Sequence, residues 1–447
     1  MTTTLLSLEG LFSEQIGDWL EFDTSTNITT GSTARVIATT LQNVDGGADD
    51  YFLDFWTYIT EGNNSGKLRK VKNYETSVGR LDLYGVALAS ESSAVTVRLH
   101  RFDRRNKVKA LNRAIEQLYP SLHRRIDNLI LVTGNILPDF KWWTSTALMK
   151  MYAKSGATGT LLRTTTGGLY RSEVPPSAKW TAGAASDTFE ISSDTYPRLL
   201  DLMGKTVTFK CWAYPEVAND AFIRIYTLNA AGTAQTLSST TACPAGAWTL
   251  LKLEDQTLSD DLVKVAVRFG VTTNGQYAYF DDPILTGRDI TDYFLPYQFQ
   301  KGTAYGYQTD GNLMEVRMQT SGYSDDIAYD LHPRDWSEPL SWRIIDDGTY
   351  RYLKLDDVLT SWYRLRLIGV QPLETLTADT DTISLDGARL NLIIAQAAYN
   401  LYQMERGSVS SQDKGRYETE MNFWANRVRQ LKPTMMMMRP ASRLYSR

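Results

Sequence analysis

Histidine and cysteine are scarce in this chain of 447 residues. His100, His123 and His332 are its imidazoles, and Cys211 and Cys243 its thiols. Zinc and redox centres draw on clusters of these residue types, so most metal and redox chemistry is excluded before any motif is sought. Two cysteines in so long a chain more often stay reduced and buried than form a bridge. Long apolar runs are absent too, and no stretch approaches the ~20 residues of a membrane-spanning helix. The opening MTTTLLSLEGLFSEQIGDW has neither a basic n-region nor an apolar core, so no signal peptide is expected. Charge of one sign is missing as well. Lys plus Arg is 47 against 51 Asp plus Glu, a net charge of −4, whereas a general nucleic-acid binder is clearly basic.

Catalytic signatures are equally absent. There is no glycine-rich phosphate loop, no H-E-x-x-H, no paired cysteines at metal spacing and no G-x-S-x-G elbow. Three scattered histidines give no support to a Ser–His–Asp triad. Adjacent carboxylates are common, as at Asp281/Asp282 and Asp346/Asp347, but neighbours on a strand point to opposite faces and make no acid/base couple. No catalytic residue is nominated, and the chain reads as a protein that is not an enzyme.

What is plentiful is Trp (11) and Tyr (25), which suits β-rich packing and broad contact surfaces. Residues 1–100 hold short alternating runs such as TARVIATTL and the aromatic YFLDFWTYIT, set apart by turns such as Gly62–Gly66, and these suggest a small barrel or sandwich. Lys67, Arg69, Lys70 and Lys72 fall on one strand, read as a solvated edge that charge protects. Val108, Leu111, Ile115, Leu118 and Leu122 then step as a helical stripe within the basic stretch Arg98–Arg125. His100 and His123 lie here and are read as structural.

From residue 136 to 288 helical periodicity almost disappears. Thr206–Trp212 alternates Val207, Phe209 and Cys211 against Thr206, Thr208 and Lys210, the pattern of a strand with one buried face. About eight such strands indicate an antiparallel sandwich. The succession GKTVTFKCWAY, GAWTLLKLE, AVRFG and AYFDDPIL, opened by GNILPDFKWW, resembles the jelly-roll carbohydrate-binding modules. That resemblance implies a structural calcium at Asp139 and Asp281, although Lys141 stands where the family often has Glu. It also implies glycan contact through exposed aromatics, for which Trp142, Trp143, Trp180 and Tyr214 are the candidates. No other cofactor is expected.

Residues 289–447 continue in strands and then change period. Ala388, Leu392, Ala395, Tyr399 and Tyr402 mark one helix, with Asp386 as N-cap and Gly407 as stop; Tyr417, Met421, Trp424, Val428 and Leu431 mark a second, ended by Pro433. Together they read as a helical hairpin. From Met421 onward there is no acidic residue. Arg427, Arg429, Lys432, Arg439 and Arg443, with the run Met435, Met436, Met437 and Met438, form a tail expected to dock on a partner. Leu365–Gly369, Pro372-Leu373 and Ala378–Asp381, followed by the Ala-rich helix, resemble the C-terminal part of tailed-bacteriophage neck or head-to-tail connector (adaptor) proteins, and the N-terminal hairpin is of the same style. This second resemblance covers residues 1–130 and 290–440 and makes the sandwich an insertion.

The expected architecture is therefore mainly β with α. It comprises an N-terminal β-barrel and helix (1–135), an inserted jelly-roll sandwich (136–288), and a C-terminal β segment with helical hairpin and basic tail (289–447). The expected function, implied by the resemblance, is structural: a virion protein in a homo-oligomeric ring of about twelve copies at the phage neck. Its partners would be the portal and tail proteins and the double-stranded DNA passing through the lumen. The alternative is a carbohydrate-binding tail or baseplate adhesin contacting host glycans.

Overall fold

The computed structural model describes residues 2–25, 28, 34–138, 151–155, 158–171, 177–300, 303–304, 307–308, 311–320, 336–348, 350–359, 362–385, 387–407 and 414–436. It is mainly β, in antiparallel sheets, with four α-helices among the described residues. The chain divides into two units, Met1–Leu122 with Leu373–Arg447, and His123–Pro372. This division differs from the boundaries read from composition. The last segment is shared: its strands up to Gln371 belong to the same unit as the sandwich, while the strand Thr382–Ser384 and its helices belong with the N-terminal part.

The first unit begins with β1 (Thr2–Thr4), which pairs with β26 (Thr382–Ser384), and α1 (Leu5–Gln15). Thr4 caps α1 by accepting the Ser7 N–H at 3.2 Å, and Leu5, Leu8 and Phe12 step along its buried face. The reading of the sequence gave no helix here. A six-stranded sheet follows in the order β2 (Leu20–Asp23), β7 (Thr96–His100), β4 (Trp56–Ile59), β5 (Leu68–Glu75), β6 (Arg80–Leu83), β3 (Arg35–Ile37). It packs on a core that includes Val36, Ile59, Val71, Leu81, Val97 and Leu99. β5 pairs on both sides, so the basic row is not on an edge strand as expected. α2 (Arg104–Leu118) is capped by Asp103, which accepts the Arg105 N–H at 2.8 Å. The apolar faces of α1, α2, α3 (Gly387–Glu405) and α4 (Lys414–Met436) share one core, with Leu111, Leu392, Leu401 and Trp424 inside. Pro433 does not end α4. It lies in the last turn, where it forfeits the single bond that an N–H at its position would make to the Arg429 carbonyl. Asp386 lies outside the described residues.

In the second unit β8 (Arg124–Asn128) pairs with β25 (Leu365–Gln371), itself paired with β22 (Asn312–Met318). A smaller sheet holds β19 (Asp292–Phe294), β24 (Arg351–Leu355) and β23 (Trp342–Asp346), and β20 (Thr303–Ala304) pairs with β21 (Tyr307–Gln308). The sandwich has two five-stranded sheets. The first runs β10 (Thr160–Thr164), β11 (Ser177–Thr181), β18 (Tyr277–Thr286), β13 (Thr206–Pro215), β16 (Thr249–Thr257). The second runs β15 (Ala234–Ser238), β14 (Ala221–Asn229), β17 (Leu262–Val271), β12 (Asp187–Ser192), β9 (Ala153–Lys154). Between them lie Trp180, Phe189, Phe209, Phe269 and Phe280, with Cys211 and Cys243 buried among them and not joined in a disulfide. The alternation read along β13 holds: Val207, Phe209 and Cys211 are all buried. Opposite them a β-bulge interrupts β18, where Lys210 faces Ile284 but Trp212 faces Asp281, and Asp282 takes a φ of 53°. The bulge changes phase, so that Phe280 on one side of it and Leu285 on the other both enter the core.

Candidate functional site

The outer face of the first sheet is aromatic. On β13 the residues alternating with the core set are Lys210, Trp212 and Tyr214; on β18 they are Tyr277, Tyr279 and Asp281. Tyr214 stands directly opposite Tyr279, and Tyr279 directly opposite Lys179 of β11. Ring centroids run from Trp248 to Tyr214 (5.6 Å), Tyr214 to Tyr279 (6.0 Å) and Tyr279 to Tyr277 (5.5 Å), a continuous row across two adjacent strands and the residue that leads into a third. Edge and tilted contacts of this kind let neighbouring rings rigidify one another. Tyr279 is the buried floor of the row, whereas Tyr214, Trp248 and Tyr277 are half-buried and keep surface toward solvent.

Polar groups ring these aromatics. The Lys179 ammonium sits 3.8 Å from the Tyr277 ring centroid. Trp248 Nε1 donates to the Gly168 carbonyl at 3.2 Å, which fixes the indole plane. Burial, and then the Glu216 carboxylate, push the Tyr277 hydroxyl above its ordinary pKa; burial beside Tyr277 does the same for Tyr279. Both phenols therefore stay protonated donors at neutral pH. At the far end of the face Trp212 is covered by the Arg171 guanidinium, 4.6 Å above it.

The expected site residues separate on this geometry. Tyr214 belongs to the row. Trp180 does not: it lies on the inner face of β11 with 0% exposure, its Nε1 donating to the Asp187 carbonyl at 3.0 Å, and its ring 5.6 Å from Phe189. It is a core residue, and its nomination as a glycan contact is corrected here. Trp142, Trp143 and Asp139 lie outside the described residues. Asp281 is fully buried, and its two oxygens accept the backbone N–H groups of Arg171 (2.8 Å) and Asp282 (2.9 Å). It ties the connection between β10 and β11 to the bulge. Among the described residues no group of three or more His, Cys, Asp or Glu gathers to hold a metal, so the calcium expectation finds no site in them. Arg427 and Arg429 are exposed on α4 and Lys432 is half-buried. The side chains of Met435 and Met436, and all of Met437, Met438, Arg439 and Arg443, lie outside the described residues. The sequence reading missed Trp248, Tyr277, Tyr279 and Lys179. Tyr277 and Tyr279 alternate with Ala278 and Phe280, so both faces of that strand read as apolar and neither is marked as outer.

A second cluster lies in the first unit. Lys107 Nζ donates to His100 Nδ1 (2.7 Å), Ser13 Oγ (2.9 Å) and Asp18 Oδ2 (3.3 Å), with Glu9 Oε1 at 3.6 Å. Arg104 holds the other Glu9 oxygen at 2.7 Å. Burial lowers the pKa of Lys107 and raises that of Asp18; burial and the neighbouring Lys107 hold His100 down to about 2. A lysine beside a serine with depressed basicity is the raw material of nucleophilic catalysis. Here Glu9, Ser13 and Lys107 are fully buried and His100 nearly so, so no substrate reaches them and the cluster joins α1, α2 and β7.

No family model and no curated protein matches the chain. Solved structures match about a third of the chain. The C-terminal family 22 carbohydrate-binding module of Clostridium thermocellum Xyn10B is 15% identical over 34% of this chain and 93% of its own, with a TM-score of 0.28. The CBM22-1 xylan-binding domain of Paenibacillus barcinonensis Xyn10C is 13% identical over 35% of this chain and 97% of its own, at 0.28. The enzymatically active domain of bacteriophage CBA120 tailspike protein 4 is 11% identical over 35% of this chain and 22% of its own, at 0.25.

Proposed function

We propose that the sandwich is a carbohydrate-binding module whose ligand lies along the outer face of its first sheet. The observation that carries this is the row Trp248–Tyr214–Tyr279–Tyr277, continuous across adjacent strands, with Lys179 beside it. Sugar rings present a C–H face that stacks on aromatic planes and a rim of hydroxyls that needs donors and acceptors. A half-buried aromatic floor edged by phenol, ammonium and carboxylate groups supplies both. The rings are held by one another and by strand pairing, so little freedom is lost on binding. Binding needs no bond to be made or broken.

The test is affinity electrophoresis of the full chain in gels carrying xylan, galactan or other neutral polysaccharides, with W248A and Y277A. The expected result is retardation by at least one polysaccharide, reduced about tenfold in each variant, which corresponds to about 1.4 kcal/mol. Retardation that both variants leave unchanged overturns the reading.

A second reading concerns the first unit. The expectation of a phage neck subunit required residues from both ends of the chain to form one body around an insertion. The common core of α1, α2, α3 and α4, drawn from residues 5–118 and 387–436, supports that arrangement. On this reading the subunit assembles into a ring through its basic C-terminal residues. Native mass spectrometry of the full chain checks it, with a ring mass expected and a monomer at all concentrations contradicting it.

A further inference from the structure

The outer face of the second sheet carries a cation that pairs with no carboxylate among the described residues. Along β14, Ala221, Ile223 and Ile225 enter the core, so Phe222, Arg224 and Tyr226 face outward. Across the sheet one row reads Ser238, Arg224, Arg268, Glu190 on β15, β14, β17 and β12. Arg268 is satisfied: its Nε donates to Glu190 at 2.6 Å and its guanidinium lies 4.0 Å from the Tyr226 ring centroid. Arg224 is not. Its Nε is buried with no hydrogen-bond partner, and no carboxylate among the described residues forms an ion pair with it. Burial, and then Arg268, hold its pKa below the usual guanidinium range.

Two like charges directly opposite in a sheet destabilise it, so an unpaired arginine in this position is a cost to the folded chain. The arginine is also rigidly presented. Its guanidinium lies 3.7 Å from the Phe222 ring centroid, and Phe222 lies against Gly270, where a Cβ would come within 2.3 Å of the ring. Stacking fixes the guanidinium plane, which is the arrangement that receives a planar or tetrahedral oxyanion through two parallel N–H donors. Ser238, exposed on the edge strand, adds a hydroxyl on the other side of Arg224, and Thr236 lies next along the same face. Phe222 is only 7% exposed, so the face lacks the exposed apolar centre that a protein partner would cover; hydroxyls suit a saccharide.

We propose that this second face, centred on Arg224, binds the carboxylate or sulfate group of an acidic polysaccharide, at a site separate from the aromatic row. It does not depend on the aromatic row binding neutral glycans, because the two faces belong to different sheets.

The experiment is affinity electrophoresis of the full chain in gels containing polygalacturonate, dextran sulfate, poly-glutamate or neutral dextran, with R224Q, S238D and W248A. S238D places a carboxylate opposite Arg224 and leaves the arginine intact, so it tests the site even if R224Q fails to fold. Expected is retardation by polygalacturonate or dextran sulfate, with the stronger of the two naming the anion. That retardation falls about tenfold in R224Q and S238D and is unchanged in W248A. Three results overturn the proposal: no retardation in either acidic polysaccharide gel, retardation that both charge variants leave unchanged, or Arg224-dependent binding to poly-glutamate alone, which identifies an acidic protein as the partner instead.

Discussion

The two units put charge in opposite places. The sandwich keeps an almost wholly apolar interior, with Trp180 and four phenylalanines packed between its sheets, and places arginine, lysine and tyrosine on its outer faces. The helical unit buries Glu9, Lys107 and most of Asp18 and His100 between its helices and sheet. An apolar interior tolerates many arrangements of similar volume, whereas a buried ionic network is satisfied in one geometry and penalised in others. The sandwich is thus an apolar-cored scaffold that carries its polar and aromatic groups outward. The other unit has an interior whose ionic contacts specify the relative positions of its helices.

The largest effects should come from breaking each interior in its own way. Lys107→Met leaves Asp18 and Glu9 without their shared cation, and the loss expected is about 3–5 kcal/mol, read as a shift in the urea midpoint. Trp180→Ala removes the largest buried side chain of the sandwich and should also cost about 3–5 kcal/mol, with no change in glycan retardation beyond that due to unfolded material.

The pH dependence sharpens it. His100 is held near a pKa of about 2 in the folded chain against 6.5 unfolded. The unfolded state therefore takes up a proton that the folded state refuses. Stability from this residue is complete above pH 6.5 and falls as pH drops below it. Asp18, whose pKa is raised by burial, works in the opposite direction and softens the fall. H100Q should flatten the decline measured by thermal melts on the acid side. A smaller effect belongs to the helix caps: Asp103→Ala removes the acceptor for the Arg105 N–H and should cost about 1 kcal/mol.

Much of the fold could be read from period alone. The two-residue alternation of β13 and the stripes of α2, α3 and α4 each follow from one face being wet. Other elements had a signal that went unread. Leu5, Leu8 and Phe12 step as a helix behind a capping threonine. Ser177–Thr181 alternates polar Ser177, Lys179 and Thr181 with Ala178 and Trp180, which already turns Trp180 inward. Lys107 sits in step with Leu111, Ala114 and Leu118 on the apolar stripe of α2, so its burial too was visible in the spacing. The aromatic row was not legible. Trp248, Tyr214, Tyr279 and Tyr277 come from three distant stretches, and only strand order sets them side by side. Nor could Asp281 be assigned, since the amide it accepts, that of Arg171, lies 110 positions away.

The pairing of β8 with β25 brings Arg124 opposite Gln371, so the stretch between them leaves and returns at neighbouring points. Its consequence lies in the order of synthesis. The sandwich has all of its strands once residue 286 is made, and is free to fold while the ribosome continues. The core shared by α1 to α4 cannot close until α3 and α4 follow, long after α1 and α2 have been made. During that interval the apolar faces of the first two helices stay uncovered. Only once Leu365–Gln371 is made does pairing with Arg124–Asn128 return the chain to where it left the first unit, and the helices that cover those faces follow directly after it.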